Sequence, residues 1–427
     1  MQSEPDSLGT QSLHPVPPGA RIAAVDVLRG FAVFGILVAN MASFAGFNTD
    51  LHEAGLIDRT ILLATTFLVR AKFYSLFSFL FGWGFAVQMD RALERGRRFG
   101  LFWLRRMAVL LVFGLLHGVL LWSGDILALY AVLGMALLLF RTRSPRFLLA
   151  AASACLLFSI LWVWPGEGME GVRGAYQDAT AFMRSTHLPN SLYGDGGYRA
   201  ITRLRWQDFL SYLSWLIYSV GNVFAMFLLG LYAGRRRLLR DLQQHLPLLR
   251  RVLFAGLLIG AAFNGLLAWA AYDSSWLPAG TWRVAPVAFR TIGAPALMSF
   301  YISGLLLLMQ WESWRQRLEP LAAVGRLALT NYLLQSVVST LIFYGYGLGL
   351  YGEVSASFGL VVTVLIFLGQ IRFSQGWLKR YRMGPVEWLW RSLAYGRLQP
   401  FKRGKRSYRE AAEPGACLLY TSPSPRD

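Results

Sequence analysis

The sequence predicts an all-α protein, a polytopic transmembrane helical bundle of about ten spans with both chain ends in the cytoplasm. Hydrophobic residues make up 55% of the 427 residues and charged residues only 15%, a composition typical of membrane proteins. The hydrophobic residues fall into blocks of about 20, the length that an α-helix needs to cross a hydrocarbon layer roughly 30 Å thick. Short arginine-rich stretches separate these blocks.

Hydrophobic blocks of helical length mark the predicted spans. They lie near residues 22–46, 66–90, 103–121, 125–141, 147–164, 208–232, 251–272, 286–310, 321–344 and 354–372. The arginine-rich connections follow every second span, and the positive-inside rule places such connections in the cytoplasm. An even number of spans brings both ends to that side. We therefore expect a multi-pass protein of a bacterial cytoplasmic (inner) membrane.

The predicted membrane domain covers residues 21–397 and includes one long extracytoplasmic loop at 165–207. Residues 1–20 are polar and lack the features of a secretory signal, which predicts a disordered cytoplasmic segment. A basic cytoplasmic tail follows at 398–415. The last residues, 416–427, read ACLLYTSPSPRD, and we interpret them as an artefact derived from a sequencing adapter.

The formal net charge of +19 raises the question of a nucleic-acid partner. The arginines lie at the ends of hydrophobic blocks, so membrane topology accounts for the excess, and no nucleic acid is expected. Membrane lipid is the expected partner. The sequence contains no phosphate-binding loop, dinucleotide fingerprint or nucleophile elbow, and no pair of ligands at metal-site spacing, so we expect no metal.

The first span carries three polar residues, Asp26, Arg29 and Asn40. At 100° per residue they lie within roughly 60° of one another, and they cover roughly 21 Å along the helix axis. Polar groups that face lipid are costly, so this stripe should face other helices or a water-filled cavity. The alternative is that Asp26 and Arg29 form an ion pair and that Asn40 is a packing hydrogen-bonder.

Two further spans carry polar faces. In the ninth span Asn331, Gln335 and Ser339 recur at every fourth position, which predicts a cavity wall or, equally, hydrogen bonds between helices. In the second span Lys72 shares a face with two serines. Its alternative role is to extend its ammonium to the outer membrane surface.

Two histidines are candidates for acid–base chemistry. His117 and Asp125 flank a tight turn between the third and fourth spans, and a carboxylate beside an imidazole can orient the ring and raise its basicity. The alternative for His117 is a hydrogen bond at the membrane interface. His52 follows the first span at the outer end of the polar stripe, where an exposed loop histidine commonly has no chemical role.

Several motifs in one order resemble the YeiB-like proteins that carry the DUF418 domain, over residues 21–397. The motifs are Val25-Asp-Val-Leu-Arg-Gly-Phe-Ala, Lys72-Phe-Tyr-Ser-Leu-Phe-Ser-Phe-Leu-Phe-Gly, His117 to Tyr130, Gly325 to Ser336, and Gly384-Pro-Val-Glu-Trp-Leu-Trp-Arg. The Asp-x-x-Arg-Gly helix is also similar to that of transmembrane acyltransferases of the heparan-glucosaminide N-acetyltransferase type. That resemblance implies acetyl-transfer roles for Asn40 and, by approximate spacing, for His52.

The resemblance implies an acyltransferase that moves an acyl group from cytoplasmic acyl-coenzyme A to an extracytoplasmic hydroxyl or amine, such as that of a small molecule or glycan. Acyl-coenzyme A is then a substrate, and no tightly bound cofactor is expected. The expected donor-binding residues are Asp26, Arg29, Asn40 and Lys72, and the candidate catalytic residues are His52, His117 and Asp125. The alternatives are a small-molecule transporter and a non-catalytic membrane subunit. A homo-oligomer is compatible with each.

Overall fold

The computed structural model describes residues 23–94, 99–162, 191–239, 242–278, 281 and 284–403. The predicted segment 1–20, much of the predicted outer loop and the tail from 404 onward lie outside these residues. The described residues form fourteen α-helices and no β-strand, which confirms the all-α prediction. The helices are α1 Ala23–Ala45, α2 Leu56–Leu68, α3 Lys72–Glu94, α4 Phe99–Leu120, α5 Leu127–Ala136, α6 Pro145–Leu161, α7 Ser191–Asp195, α8 Tyr198–Arg235, α9 Leu246–Tyr272, α10 Val284–Leu308, α11 Glu312–Arg326, α12 Ala328–Phe343, α13 Ala356–Arg380 and α14 Pro385–Tyr395.

The structure supports fewer spans than the ten predicted. Within the described residues, six helical stretches are long and apolar enough to cross a membrane, or seven if the bent pair α11–α12 counts as one span. The predicted spans at 125–141 and 147–164 correspond to apolar helices of at most 17 residues, shorter than the roughly 20 needed. The predicted span at 208–232 is part of α8, a 38-residue helix that begins with several arginines.

Helix α1 lies at the centre of the packing, against α3, α10, α11, α12 and α13. Its crossing with α11 depends on two glycines. A Cβ atom on Gly325 would collide with the backbone carbonyl of Asp26, and one on Gly30 would collide with the carbonyl of Leu321. Small residues at such crossings let two backbones approach closely inside a membrane. The two glycines therefore allow α11 to pack closely against α1.

The pair α11–α12 bends by 78° at Leu327, and this bend leaves the first N–H groups of α12 without partners in the helix. The carboxylate of Glu387, on α14, accepts hydrogen bonds from the backbone N–H groups of Leu329 at 2.7 Å and Thr330 at 3.0 Å, and from the Thr330 hydroxyl at 2.5 Å. Burial raises the pKa of the Glu387 carboxyl above its usual value, because the charged form loses its hydration. Helix α14 thus caps the second half of the bent pair.

Replacement of Gly325 by alanine should destabilise the fold, because the added methyl group forces α1 and α11 apart. The expected cost is about 1–3 kcal/mol, seen as a lower melting temperature of the purified protein in detergent. The matched control is Gly376→Ala on α13, where an added Cβ meets open space. That control should be neutral or stabilise the helix by up to about 1 kcal/mol. Equal melting temperatures for the two variants would contradict the proposed crossing.

Removal of the Glu387 carboxyl should destabilise the bend. Glu387→Ala leaves two buried N–H groups without acceptors, at about 1–3 kcal/mol each. Glu387→Gln keeps an acceptor oxygen, so its melting temperature should fall less.

The raised pKa of the Glu387 carboxyl also predicts that the stability of the fold depends on pH. The folded state binds the proton of Glu387 more tightly than the unfolded state. Its contribution to stability is therefore full below the unfolded pKa, about 4.3, and is lost as the pH rises through the folded value. Melting curves between pH 4 and pH 8 should show this loss in the native protein and not in Glu387→Gln. The same pH profile in both proteins would argue against a buried, capping carboxyl.

Candidate functional site

Three polar side chains form a hydrogen-bonded chain in the interior of the bundle. The Nδ1 atom of His117, on α4, lies 2.8 Å from Oδ1 of Asp125, and its Nε2 atom lies 2.8 Å from Oγ of Ser336, on α12. The exposed fractions are 2% for His117 and 0% for Asp125 and Ser336. Both ring nitrogens of His117 therefore lie within hydrogen-bond distance of a protein side chain, and the ring is shielded from water. We call this set the buried relay.

The hairpin between α4 and α5 positions the first two members of the relay. Gly114 on α4 packs so closely on α5 that a Cβ atom would collide with the backbone nitrogen of Ala128. The second carboxylate oxygen of Asp125 accepts a hydrogen bond from that Ala128 N–H at 2.8 Å, which caps the start of α5. Asp125 is thus fixed by a backbone contact while its other oxygen orients His117.

The relay has the connectivity of an activated nucleophile. A carboxylate that accepts a hydrogen bond from Nδ1–H leaves the Nε2 lone pair free to accept a proton from the serine hydroxyl. The ring of Tyr332 packs against His117 with centroids 5.2 Å apart and helps to exclude water. The arrangement is therefore suited to proton transfer at the Ser336 oxygen.

Sequence reasoning identified His117 and Asp125 but missed Ser336 as their partner. Ser336 is 219 residues from His117 along the chain, so only the tertiary fold brings the two together. The available signal was weak: Ser336 lies at the end of the Gly325–Ser336 motif, next to Gln335, on a helix that carries several other polar residues.

His52 lies at a different place, in the exposed loop between α1 and α2. Its backbone N–H donates to the Asp50 carboxylate at 2.8 Å, and its ring stacks on Tyr272 with centroids 5.5 Å apart. His52 lines a cavity of about 350 Å³ together with Arg70. Asn40 is half-buried on α1, and no described residue forms a hydrogen bond with its side chain. The acetyl-transfer role that the resemblance implies for Asn40 stays a prediction.

Ionic contacts near the first turn of α1 involve two of the predicted donor-binding residues. Asp26 and Arg29 form an ion pair at 3.2 Å, the alternative predicted from their spacing. Arg106 on α4 is close enough to Arg29 and to Arg391 on α14 for their charges to repel one another. The Arg106 guanidinium lies 3.7 Å from the centre of the Trp390 ring, and its Nε atom is buried without a partner among the described residues. We call Arg29, Arg106 and Arg391 the α1–α4–α14 arginine cluster.

The polar face of α12 is used in packing. The Asn331 amide donates to Ser374 Oγ at 2.9 Å, and the Gln335 amide donates to Gln370 Oε1 at 3.0 Å. Ser339 is fully buried, and its hydroxyl has no partner among the described residues. None of Asn331, Gln335 and Ser339 lines the cavity beside His52. A role as cavity walls stays a prediction.

Lys72 lies in the interior and does not extend to the outer surface. Its side chain is 0% exposed, and its ammonium donates to the backbone carbonyl of Thr66 at 2.8 Å. The surface-seeking alternative for Lys72 is therefore wrong. Donor binding by Lys72 stays a prediction.

Comparison with known proteins gives the following similarities. The model of the family described as "Protein of unknown function (DUF418)" matches residues 233–397. The uncharacterized protein YxaH of Bacillus subtilis (strain 168) is 39% identical over 420 residues, which cover 92% of this chain and 98% of that protein. The uncharacterized protein YeiB of Escherichia coli (strain K12) is 29% identical over 394 residues, 87% of this chain and 96% of that protein. An uncharacterized 39.9 kDa protein from the amylase 3' region of Bacillus acidopullulyticus is 29% identical over 396 residues, 91% of this chain and 98% of that protein. No solved structure matches the chain.

Proposed function

We propose a function from the premise that this chain belongs to the YeiB-like family of membrane proteins that carry the DUF418 domain. The proposed function is transmembrane acyl transfer. The protein takes an acyl group from cytoplasmic acyl-coenzyme A and delivers it to a hydroxyl or amine on the other side of the membrane. The acceptor is a small molecule or a glycan.

The buried relay is the observation that carries this proposal. Acyl transfer from a thioester needs a nucleophile, and a base within hydrogen-bond reach of that nucleophile. Ser336 and His117 meet this requirement at 2.8 Å, and Asp125 orients the base. Because all three side chains are buried, the α4–α5 hairpin must separate from α12 to admit substrates.

The proposed reaction has two steps. In the first, Ser336 Oγ attacks the thioester carbonyl carbon while His117 Nε2 takes the hydroxyl proton. The carbon–sulfur bond breaks, the proton passes to the departing sulfur, and an ester remains on Ser336. In the second step the acceptor gives its proton to His117 and bonds to the acyl carbon. The carbon–oxygen bond to Ser336 breaks, and Ser336 regains its hydroxyl proton.

The α1–α4–α14 arginine cluster supports the choice of donor. Coenzyme A carries several phosphate charges, and guanidinium groups bind phosphate oxygens in paired hydrogen bonds. Arg29 is paired with Asp26, and Arg106, whose buried Nε atom has no partner among the described residues, adds positive charge beside it. In this proposal the phosphates of the donor neutralise the cluster.

A second candidate is transport of an anionic small molecule, and the cavity that His52 and Arg70 line favours it. Transport requires no covalent chemistry. The two candidates therefore differ in the consequence of removing the Ser336 hydroxyl, which abolishes acyl transfer and leaves transport in place.

Radiolabelled acyl-coenzyme A tests the proposed reaction. Native protein in nanodiscs should acquire a covalent label from acetyl or longer acyl donors, and Ser336→Ala should acquire none, because it lacks the nucleophilic oxygen. His117→Ala should slow labelling by about 10²–10⁴-fold through loss of the base. The matched control is His245→Ala, since the side chain of His245 lies outside the relay and does not cap its helix.

Two results would contradict the proposed acyl transfer. One is the absence of label in well-folded native protein with every donor. The other is equal labelling of Ser336→Ala and native protein, which would exclude Ser336 as the nucleophile. If His52→Ala lost labelling and His117→Ala retained it, the general base would be His52 and not His117.

A further inference from the structure

Three basic side chains lie close together where α2 ends, α3 begins and α10 packs against α3. Arg70 lies between α2 and α3, Lys72 begins α3, and Arg290 lies near the start of α10. Arg70 and Arg290 are both close enough to the Lys72 ammonium to repel it. We call this set the outer cation cluster.

The outer cation cluster has no carboxylate partner in the described part of the chain. Ion pairs there include Asp26 with Arg29 and Glu312 with Arg315, both outside the cluster. The Nε atom of Arg290 is buried and has no described hydrogen-bond partner. Like charges inside a membrane domain are costly unless they are neutralised. The cluster therefore favours a negative charge from outside the protein.

A cavity beside the cluster could admit such a charge. It has a volume of about 350 Å³ and is lined by Arg70, by Thr66 and by loop residues Thr49, Asp50 and His52. This volume is in the range of small-molecule sites. Thr66 also accepts the hydrogen bond from Lys72, so the buried ammonium lies directly behind the cavity wall.

The chemistry of the lining limits the ligand. Arg70 offers a planar set of donors that matches phosphate and carboxylate oxygens. The Asp50 carboxylate at the mouth accepts the backbone N–H of His52 at 2.8 Å, and so part of its charge is already engaged. Arg290 and the buried Lys72 side chain add basic groups beside Arg70, so the inner wall favours an anion.

We propose that this cavity binds a phosphate- or carboxylate-bearing ligand that enters from the exterior, with Arg70 as the direct contact. Lys72 and Arg290, which lie behind the cavity wall, attract the negative charge of the ligand without contacting it. The site is independent of acyl transfer: an anionic acceptor, a transported anion and the headgroup of an anionic lipid share the same chemistry. The result of the binding experiment at this site is therefore independent of whether Ser336 is labelled.

Binding of inorganic phosphate and glycerol 3-phosphate to the full chain in nanodiscs tests the site. In nanodiscs of phosphatidylcholine, native protein should bind at least one of these probes saturably. Arg70→Gln should weaken binding about tenfold or more, because a charged hydrogen bond is lost, and Arg70→Lys should weaken it less. Arg290→Gln should weaken binding while leaving the cavity lining intact. Arg199→Gln is the matched control, since Arg199 is an exposed cation near the start of α8 that lies outside the cavity.

A second arm identifies a lipid ligand. Nanodiscs that contain phosphatidylglycerol are exchanged into detergent, and the retained lipid is measured by mass spectrometry. Retention by native protein and by Arg199→Gln, with loss in Arg70→Gln and Arg290→Gln, would support the site and assign the anion to a lipid headgroup. The proposal is overturned if both arms show no binding to native protein that elutes as a single folded species. Equal binding by native protein and Arg70→Gln in both arms also overturns it.

Discussion

The hydrocarbon core of a membrane offers no hydrogen-bond partners, so a polar group inside the bundle is costly unless the protein or a ligand supplies one. This constraint is most visible where helices begin or bend within the fold. The bend at Leu327 exposes backbone N–H groups, and Glu387 reaches across from α14 to satisfy them. The start of α5 is satisfied in the same way by Asp125, whose second oxygen remains available to His117. The buried relay therefore rests on a carboxylate that the fold already needs as a cap.

The two proposals, acyl transfer and anion binding, involve three charged or polar regions that differ in their contacts. The α1–α4–α14 arginine cluster joins those three helices, and in the acyl-transfer proposal it supplies positive charge for a donor that carries phosphates. The buried relay joins the α4–α5 hairpin to α12, and its burial excludes water from a reactive ester. The outer cation cluster lies beside a cavity that reaches the loop of His52. The proposed donor site, the proposed reaction site and the proposed anion site thus involve different sets of helices. An experiment can therefore contradict one of these proposals without contradicting the others.

Features that depend on neighbours in sequence could be predicted, and features that depend on distant helices could not. The Asp26–Arg29 pair follows from spacing on one helix, and His117 and Asp125 are eight residues apart around one turn. Ser336 and Arg290 joined their clusters only through tertiary packing, since each lies far along the chain from the other members of its cluster. The span count was too high because hydrophobicity alone does not separate a membrane-crossing helix from a shorter apolar helix packed against its neighbours.

The most direct test of the buried relay is the proton position on His117, measured by nitrogen NMR of ¹⁵N-histidine-labelled protein at pH 8, where an ordinary imidazole is neutral. The signal that disappears in His117→Gln is assigned to His117. The relay predicts a ring with its proton on Nδ1 and an Nε2 atom that accepts a hydrogen bond, and it predicts that Asp125→Asn disturbs this state while His245→Ala does not. A proton on Nε2, or a His117 signal that does not respond to Asp125→Asn, would contradict it.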